Sequence, residues 1–302
     1  MKLCKCLCLL SLVILTSCST LMNVTSYTAQ IAGATGLIDA DLATSISESS
    51  ESIGKAAEAI TPEQEYYIGR AVAGTIFYKY KVYHAPEVQL YLNKISKTLV
   101  MNSDKPVLYK GYYVEILDSD EINAFATSGG HILITKGLLS CANSEDALAA
   151  VLAHEISHIQ LQHSIKAIKS SRATDAILKT AEATYVAAVG KDAKLELVDG
   201  LKDSVNDIVT IMVESGYSKI QEFAADENAL KLMKNANYNT NAMNDMLLML
   251  KEKSSGQTKG FCKTHPTPDA RMNKLKKKYS SYKDYQSQVV RTERFKKIIS
   301  SL

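Results

Sequence analysis

The stretch VLAHEISHIQLQH, Val151 to His163, holds three of the six histidines in this 302-residue chain. Its remaining residues are mostly Val, Leu, Ala and Ile, so a helix here is apolar nearly all round and belongs inside a core. Titratable groups on such a helix need partners, because an unpaired polar atom is costly to bury. His154 and His158 stand at i and i+4, on one face and about 5–6 Å apart at Cβ. Glu155 is turned about a quarter-circle from His154, and His163 faces roughly the opposite way if the helix runs on.

Two imidazoles so placed converge on one divalent ion with bonds of about 2.0 Å, and the glutamate beside the first is placed as a general base rather than a ligand. This is the H-E-x-x-H arrangement, and it requires a third ligand. The extended pattern with a glycine and a further histidine does not apply, since those places hold Leu161 and Ser164. The better candidate is Glu222 in QEFAADENAL (221–230). Glu222 and Asp226 share a helix face, and Ala224 and Ala225 allow a close helix approach. Alone, that pair reads as a solvated acidic face. Beside the histidine helix, Glu222 reads as the third ligand and Asp226 as acceptor of a hydrogen bond from a liganding imidazole.

HEISH (154–158), EFAAD (222–226), NAFATSGGHILITKGLL (123–139) and THPTPDAR (264–271) together resemble the gluzincin zinc metallopeptidases related to HtpX and the CAAX prenyl proteases. Within that family the resemblance is to the periplasmic lipoprotein branch, of the BepA and LoiP type, in matching order from about Thr61 to Leu275. The resemblance implies an α+β fold: a mainly helical, zincin-like domain with a small antiparallel sheet beside the active-site helix. It implies one zinc ion per chain on His154, His158 and Glu222, with Glu155 as general base. His265 is either a donor to the developing oxyanion, an occupant of the open zinc position at rest, or a surface-loop histidine. Arg271 pairs with Glu222 or Asp226, or caps a helix. Asn123, Ala124, Phe125 and Ala126 resemble the edge strand on which an extended polypeptide substrate lies; Phe125 also suits the core. The implied activity is endopeptidase action on unfolded or misassembled envelope proteins. A chaperone-like lipoprotein with structural zinc is the alternative. Integral membrane helices and a following helical repeat array are not expected, so prenyl-protein processing is not implied.

Working outward, Thr61 with Pro62 and Gln64 predicts a capped helix, and Val88, Tyr91, Leu92, Ile95 and Leu99 predict a second after Pro86. Residues 111–119 and 123–137 predict strands, the latter a hairpin about Gly129 and Gly130. Asn143 or Ser144 caps the histidine helix, with Glu145 and Asp146 set against its dipole. Residues 164–216 read as a helical insertion, with Leu201, Val205, Ile208, Val209 and Met212 on one face. Helices are expected over about 218–234 and from near Thr240. His84 and His131 read as structural, and His163 as helping packing or a surface bond. No internal repeat or second domain is expected.

The leader MKLCKCLCLLSLVILTSC reads as a signal peptide over 1–17. LTSC resembles a bacterial lipobox, which makes Cys18 the lipidated residue and residues 18–60 a tether to the membrane, outer rather than inner given Ser19. Cys141 and Cys262 then either pair or stay reduced. From Arg271 to Leu302 ten Lys or Arg face two acids, a local +8 in a chain of net +3. Residues 276–302 read as a basic tail, solvated or against anionic lipid; nucleic acid is not an expected partner, for no such fold signature is present.

Overall fold

The histidine helix is the axis about which the chain is built. In the computed structural model, which describes residues 60–169, 209–253, 264–279, 281 and 283–300, it spans Glu145–Gln160 and all sixteen of its residues are buried. Ser144 caps it, its hydroxyl accepting from the Ala147 amide at 3.1 Å. Ahead of it in the chain come helices α1 (Pro62–Lys79) and α2 (Pro86–Met101), strands β1 (Tyr113–Leu117), β2 (Ala124–Ala126) and β3 (His131–Thr135), and the one-turn helix α3 (Lys136–Leu139). The histidine helix is α4. After it come α5 (His163–Lys169), α6 (Lys219–Asn235), α7 (Ala242–Lys253), α8 (Pro268–Leu275) and α9 (Tyr285–Ile299).

The two opening helices form as their sequences require. Thr61 and Gln64 make a reciprocal capping box with Pro62 at the first helical position. Val88, Tyr91, Leu92, Ile95 and Leu99 are all buried on α2, against α4 and β1. Helix α6 begins one residue later than expected because Ser218 and Gln221 form a second capping box.

The α+β class with a small sheet holds, but the sheet is mixed rather than wholly antiparallel. Its order is β1-β3-β2; β2 and β3 form the expected antiparallel hairpin, with Phe125 opposite Leu133, while β1 lies parallel to β3, with Tyr113 beside His131. The hairpin folds back so that β3 enters between its two predecessors, and burial of Ile132, Leu133 and Ile134 selects that central place. Strand β2 is left at the edge, against α4.

Helix α6 packs on α4 through Ala225 and Ala229, both fully buried, and the Asn228 amide donates to Ser157 Oγ at 3.0 Å. Ala224 is only half-buried, so Ala229 rather than Ala224 completes the close-packing face. Helices α7 and α9 also lie against α4. The C-terminal helix is therefore not a solvated tail. Arg291 donates to Asp146 at 2.9 Å and stacks over Tyr238, Arg294 donates to Glu145, and Phe295 is buried. Glu145 and Asp146 thus answer arginines as well as the helix dipole. No described helix is long and apolar enough to cross a membrane. The leader, Cys18, the tether, most of the helical insertion (170–208) and Cys262 lie outside the described residues; Cys141 is buried, its thiol 3.3 Å from the Gly137 carbonyl.

Candidate active site

Helix α4 sets His154 and His158 one turn apart, both almost wholly buried, with ring centroids 4.6 Å apart. Helix α6 crosses them and brings in Glu222 and Asp226, both fully buried. The Nε2 atoms of His154 and His158 lie 3.0 Å apart, and the Glu222 carboxylate oxygens lie 3.5 Å from the first and 3.4 Å from the second. The loop before α8 delivers His265, whose Nδ1 is 2.6 Å from Glu222 Oε2. One donor atom from each of His154, His158, Glu222 and His265 falls within 4.8 Å of every other.

Donors of this kind suit zinc. A tetrahedral ion with bonds of about 2.0–2.1 Å separates its ligand atoms by roughly 3.3 Å, which the histidine and glutamate spacings approach. Glu222 Oε1 is buried with no hydrogen-bond partner in the protein. A buried carboxylate oxygen 3.4 Å from the His158 imidazole, with no donor of its own, suits a metal ligand.

The partners behind the cluster define its electrostatics. Asp226 Oδ1 lies 2.9 Å from His154 Nδ1, and Arg271 holds the same carboxylate through Nε at 2.9 Å and a second bond from Nη2. Among the places open to Arg271, the structure selects Asp226. Burial would raise the Asp226 carboxyl, but Arg271 and His154 outweigh it and hold the group below the ordinary carboxylate range. Glu222 is likewise held well down, burial being overcome by His265, His154 and His158. For His154, burial and Arg271 act to lower the pKa, yet Asp226 and Glu222 carry it up to about 9. Burial pushes His158 well below its usual value. Glu155 goes the other way: burial raises its carboxyl, and its Oε1 has no hydrogen-bond partner in the protein.

Glu155 borders two small hollows. One is apolar, between α4 and α7, lined by Val151, Met243, Met246, Leu247 and Leu250 with His154 and Arg271 at its rim. The other joins Ala124, Phe125 and Ala126 of the edge strand to Met212, Gly216, Tyr217, Thr264 and His265. Asn123 lies just before this strand, its side chain accepting from the Ala124 amide at 3.0 Å. The structure thus gathers His154, Glu155, His158, Glu222, Asp226, His265, Arg271 and the edge strand in one place.

Two neighbours of the cluster escape sequence reading. Tyr217 stacks on the His158 ring at 4.4 Å and 20°, and its hydroxyl donates to the Ala126 carbonyl at 3.3 Å. His163 does not point away. The helix breaks at Gln162, and His163 turns back to bring its Nδ1 2.9 Å from His158 Nδ1. Only an unbroken helix would have sent it to the far side, and no residue type in HIQLQHS announces the break.

The chain is similar in sequence to known proteins. The chain is 25% identical over 211 residues to the beta-barrel assembly-enhancing protease of Yersinia pestis, covering 66% of this chain and 40% of that protein. It is 28% identical to the mitochondrial metalloendopeptidase OMA1 of Schizosaccharomyces pombe, over 62% of this chain and 51% of the other. It is 27% identical to the metalloprotease YcaL of Escherichia coli, over 64% and 70% respectively. The chain spans about 40% of the length of the beta-barrel assembly-enhancing protease it matches. Residues 86–279 match Peptidase family M48, a stretch that takes in both histidines of α4, Glu222 and the His265 loop. With well over half its length matched and the cluster of His154, His158, Glu222 and His265 inside the match, the chain belongs to peptidase family M48.

Proposed function

We propose that this chain is a zinc-dependent endopeptidase that hydrolyses peptide bonds of unfolded or misassembled cell-envelope proteins. The observation that carries the reading is the convergence of His154, His158 and Glu222 from two helices, with the buried Glu155 carboxylate, its Oε1 without a partner, beside them. Zinc is the family's metal; His154, His158 and Glu222 would hold it. When bound it supplies Lewis-acid polarisation of the scissile carbonyl and an acidified water. The relatives named beta-barrel assembly-enhancing proteases support the envelope substrate class.

The chain's own groups account for the rest. Glu155 takes the proton of the attacking water and returns it to the leaving amine. Its raised pKa suits a group that must accept and then give up a proton. Ala124 and Ala126 alternate with the residues that bond β3, so their backbone groups face the outer edge of the sheet. An extended polypeptide adds there as a further strand once it displaces the Asn123 side chain from the Ala124 amide and the Tyr217 hydroxyl from the Ala126 carbonyl, with affinity from main-chain bonds and little demand on sequence. His265 stands at the fourth corner of the cluster in this conformation, so substrate entry requires that it withdraw. Once withdrawn, the ring is placed to donate to the oxyanion.

We further read Cys18 as a lipid attachment that holds the chain at the periplasmic face, on the outer membrane. Cys18→Ala is expected to move the protein from the membrane fraction to the soluble one.

Metal analysis with casein cleavage tests the main reading. The mature protein is expected to bind one zinc and cleave casein; Glu155→Gln is expected to keep the zinc and lose activity by at least ~100-fold. A wild-type protein that retains no zinc, or a Glu155→Gln variant with full activity, would overturn it.

A further inference from the structure

The helix that carries His154 and His158 stops just short of His163. The Leu161 amide still closes on Ser157, but Gln162 takes a φ of 55° and a new helix starts at His163. The break is fastened on two sides. The Gln162 side chain donates to Glu65 on α1, and the Gln221 side chain of α6 donates to the His163 carbonyl at 3.4 Å. His163, itself 3% exposed, is thereby set with its Nδ1 2.9 Å from His158 Nδ1 and its ring at 75° to that of His158. At the other side of the same His158 ring, Nε2 faces His154 and Glu222.

Two Nδ1 atoms at hydrogen-bond distance share one proton, since two bare nitrogens or two N–H groups would repel. For His158 to offer its Nε2 lone pair to a metal, that proton must sit on its own Nδ1. His163 Nδ1 is then the bare acceptor. We propose that His163 is a positioning residue for His158, holding it in the Nδ1–H tautomer with Nε2 aimed into the ligand cluster. This rests on the zinc-peptidase reading and adds to it a support for the second histidine. His154 has a carboxylate behind it, Asp226, neutralised by Arg271. Glu155, Glu222 and Asp226 already place three buried carboxylates in the site. A neutral imidazole supplies the second acceptor without burying a fourth anion, which would need its own counter-charge.

Zinc affinity of the mature protein, read by competition with a chromogenic chelator, tests the assignment. His163→Leu is expected to weaken zinc binding ~10–100-fold. His163→Asn, whose Oδ1 stands where Nδ1 does, is expected to restore most of it. Wild-type affinity in His163→Leu, or an Asn variant as weak as the Leu variant, overturns the proposal. Should His163→Leu fail to fold, the zinc-loaded wild-type protein with ¹⁵N-labelled histidine decides. A proton on His158 Nδ1 and a bare His163 Nδ1 support the assignment; the reverse tautomers sink it. A wild-type protein without zinc affinity removes the peptidase reading itself, whereas zinc binding indifferent to His163 removes only this role.

Discussion

Glu155 and Asp226 are both buried carboxyls, and their surroundings drive them in opposite directions. Asp226 is paired with Arg271 and His154, so its folded pKa lies below the ordinary 3.8. Such a group stabilises the fold above its unfolded pKa, and the contribution is lost as pH falls below about 4. In Asp226→Asn the buried Arg271 loses its counter-charge, at a cost of about 3–5 kcal/mol, and zinc binding weakens ~10–100-fold because His154 loses its acceptor. Thermal unfolding of the metal-free variant and chelator competition check both effects. Glu155 has the contrary sign: its raised pKa favours the protonated form in the fold, so stability is lost as pH rises through and beyond its ordinary 4.5. Metal-free Glu155→Gln is therefore expected to melt higher than wild type at pH 7, by about 1–2 kcal/mol for the relieved carboxylate, and to match it at pH 4. Calorimetry at the two pH values measures the difference. Under the proposed function, a base kept ready in a buried place lowers the resting stability of the site that uses it.

At the scale of elements, the site depends on where chains turn as much as on helices. Gly216 has a φ of 70°, and a Cβ there would overlap the carbonyl of Thr264, the residue before His265. The turn that starts α6 and the loop that carries His265 are thus in backbone contact through the one residue type that leaves room. Gly216→Ala is expected to displace the His265 loop and lower stability by about 1–3 kcal/mol, a fall in melting temperature of several degrees. Hydrogen exchange is expected to quicken at residues 264–267 while α4 stays protected. The capping box of α1 and the spacing of apolar residues on α2 were open to reading from sequence because they are local. The strand directions were not. The hairpin about Gly129 is a local feature, but insertion of β3 between β1 and β2 is decided by which strand buries both faces.

On the scale of the molecule, the basic C-terminus gains a structural role. Its composition suggested a tail, yet Arg291 and Arg294 reach back across 145 and 149 positions to Asp146 and Glu145 at the start of α4. The helix that carries His154 and His158 is therefore held at one end by the last described helix. Arg291→Met keeps much of the packing on Tyr238 but leaves Asp146 without its cation, at an expected cost of about 3 kcal/mol. Denaturant unfolding of the metal-free protein checks it, and zinc affinity is expected to hold, since Asp146 lies two turns of α4 before His154.

What the amino-acid sequence by itself determined was the chemistry: the pair of histidines on one helical face, the glutamate beside them, and the acidic pair that could complete a ligand set. Those follow from helical periodicity, a relation among neighbours in the chain. Only the tertiary structure decided that Arg271 answers Asp226, that His265 stands at the fourth corner, that Tyr217 covers His158 and that His163 turns inward. Each of these depends on how separate elements cross or where a helix breaks. Such choices are settled by burial and pairing across the whole core, and no short stretch of sequence contains them.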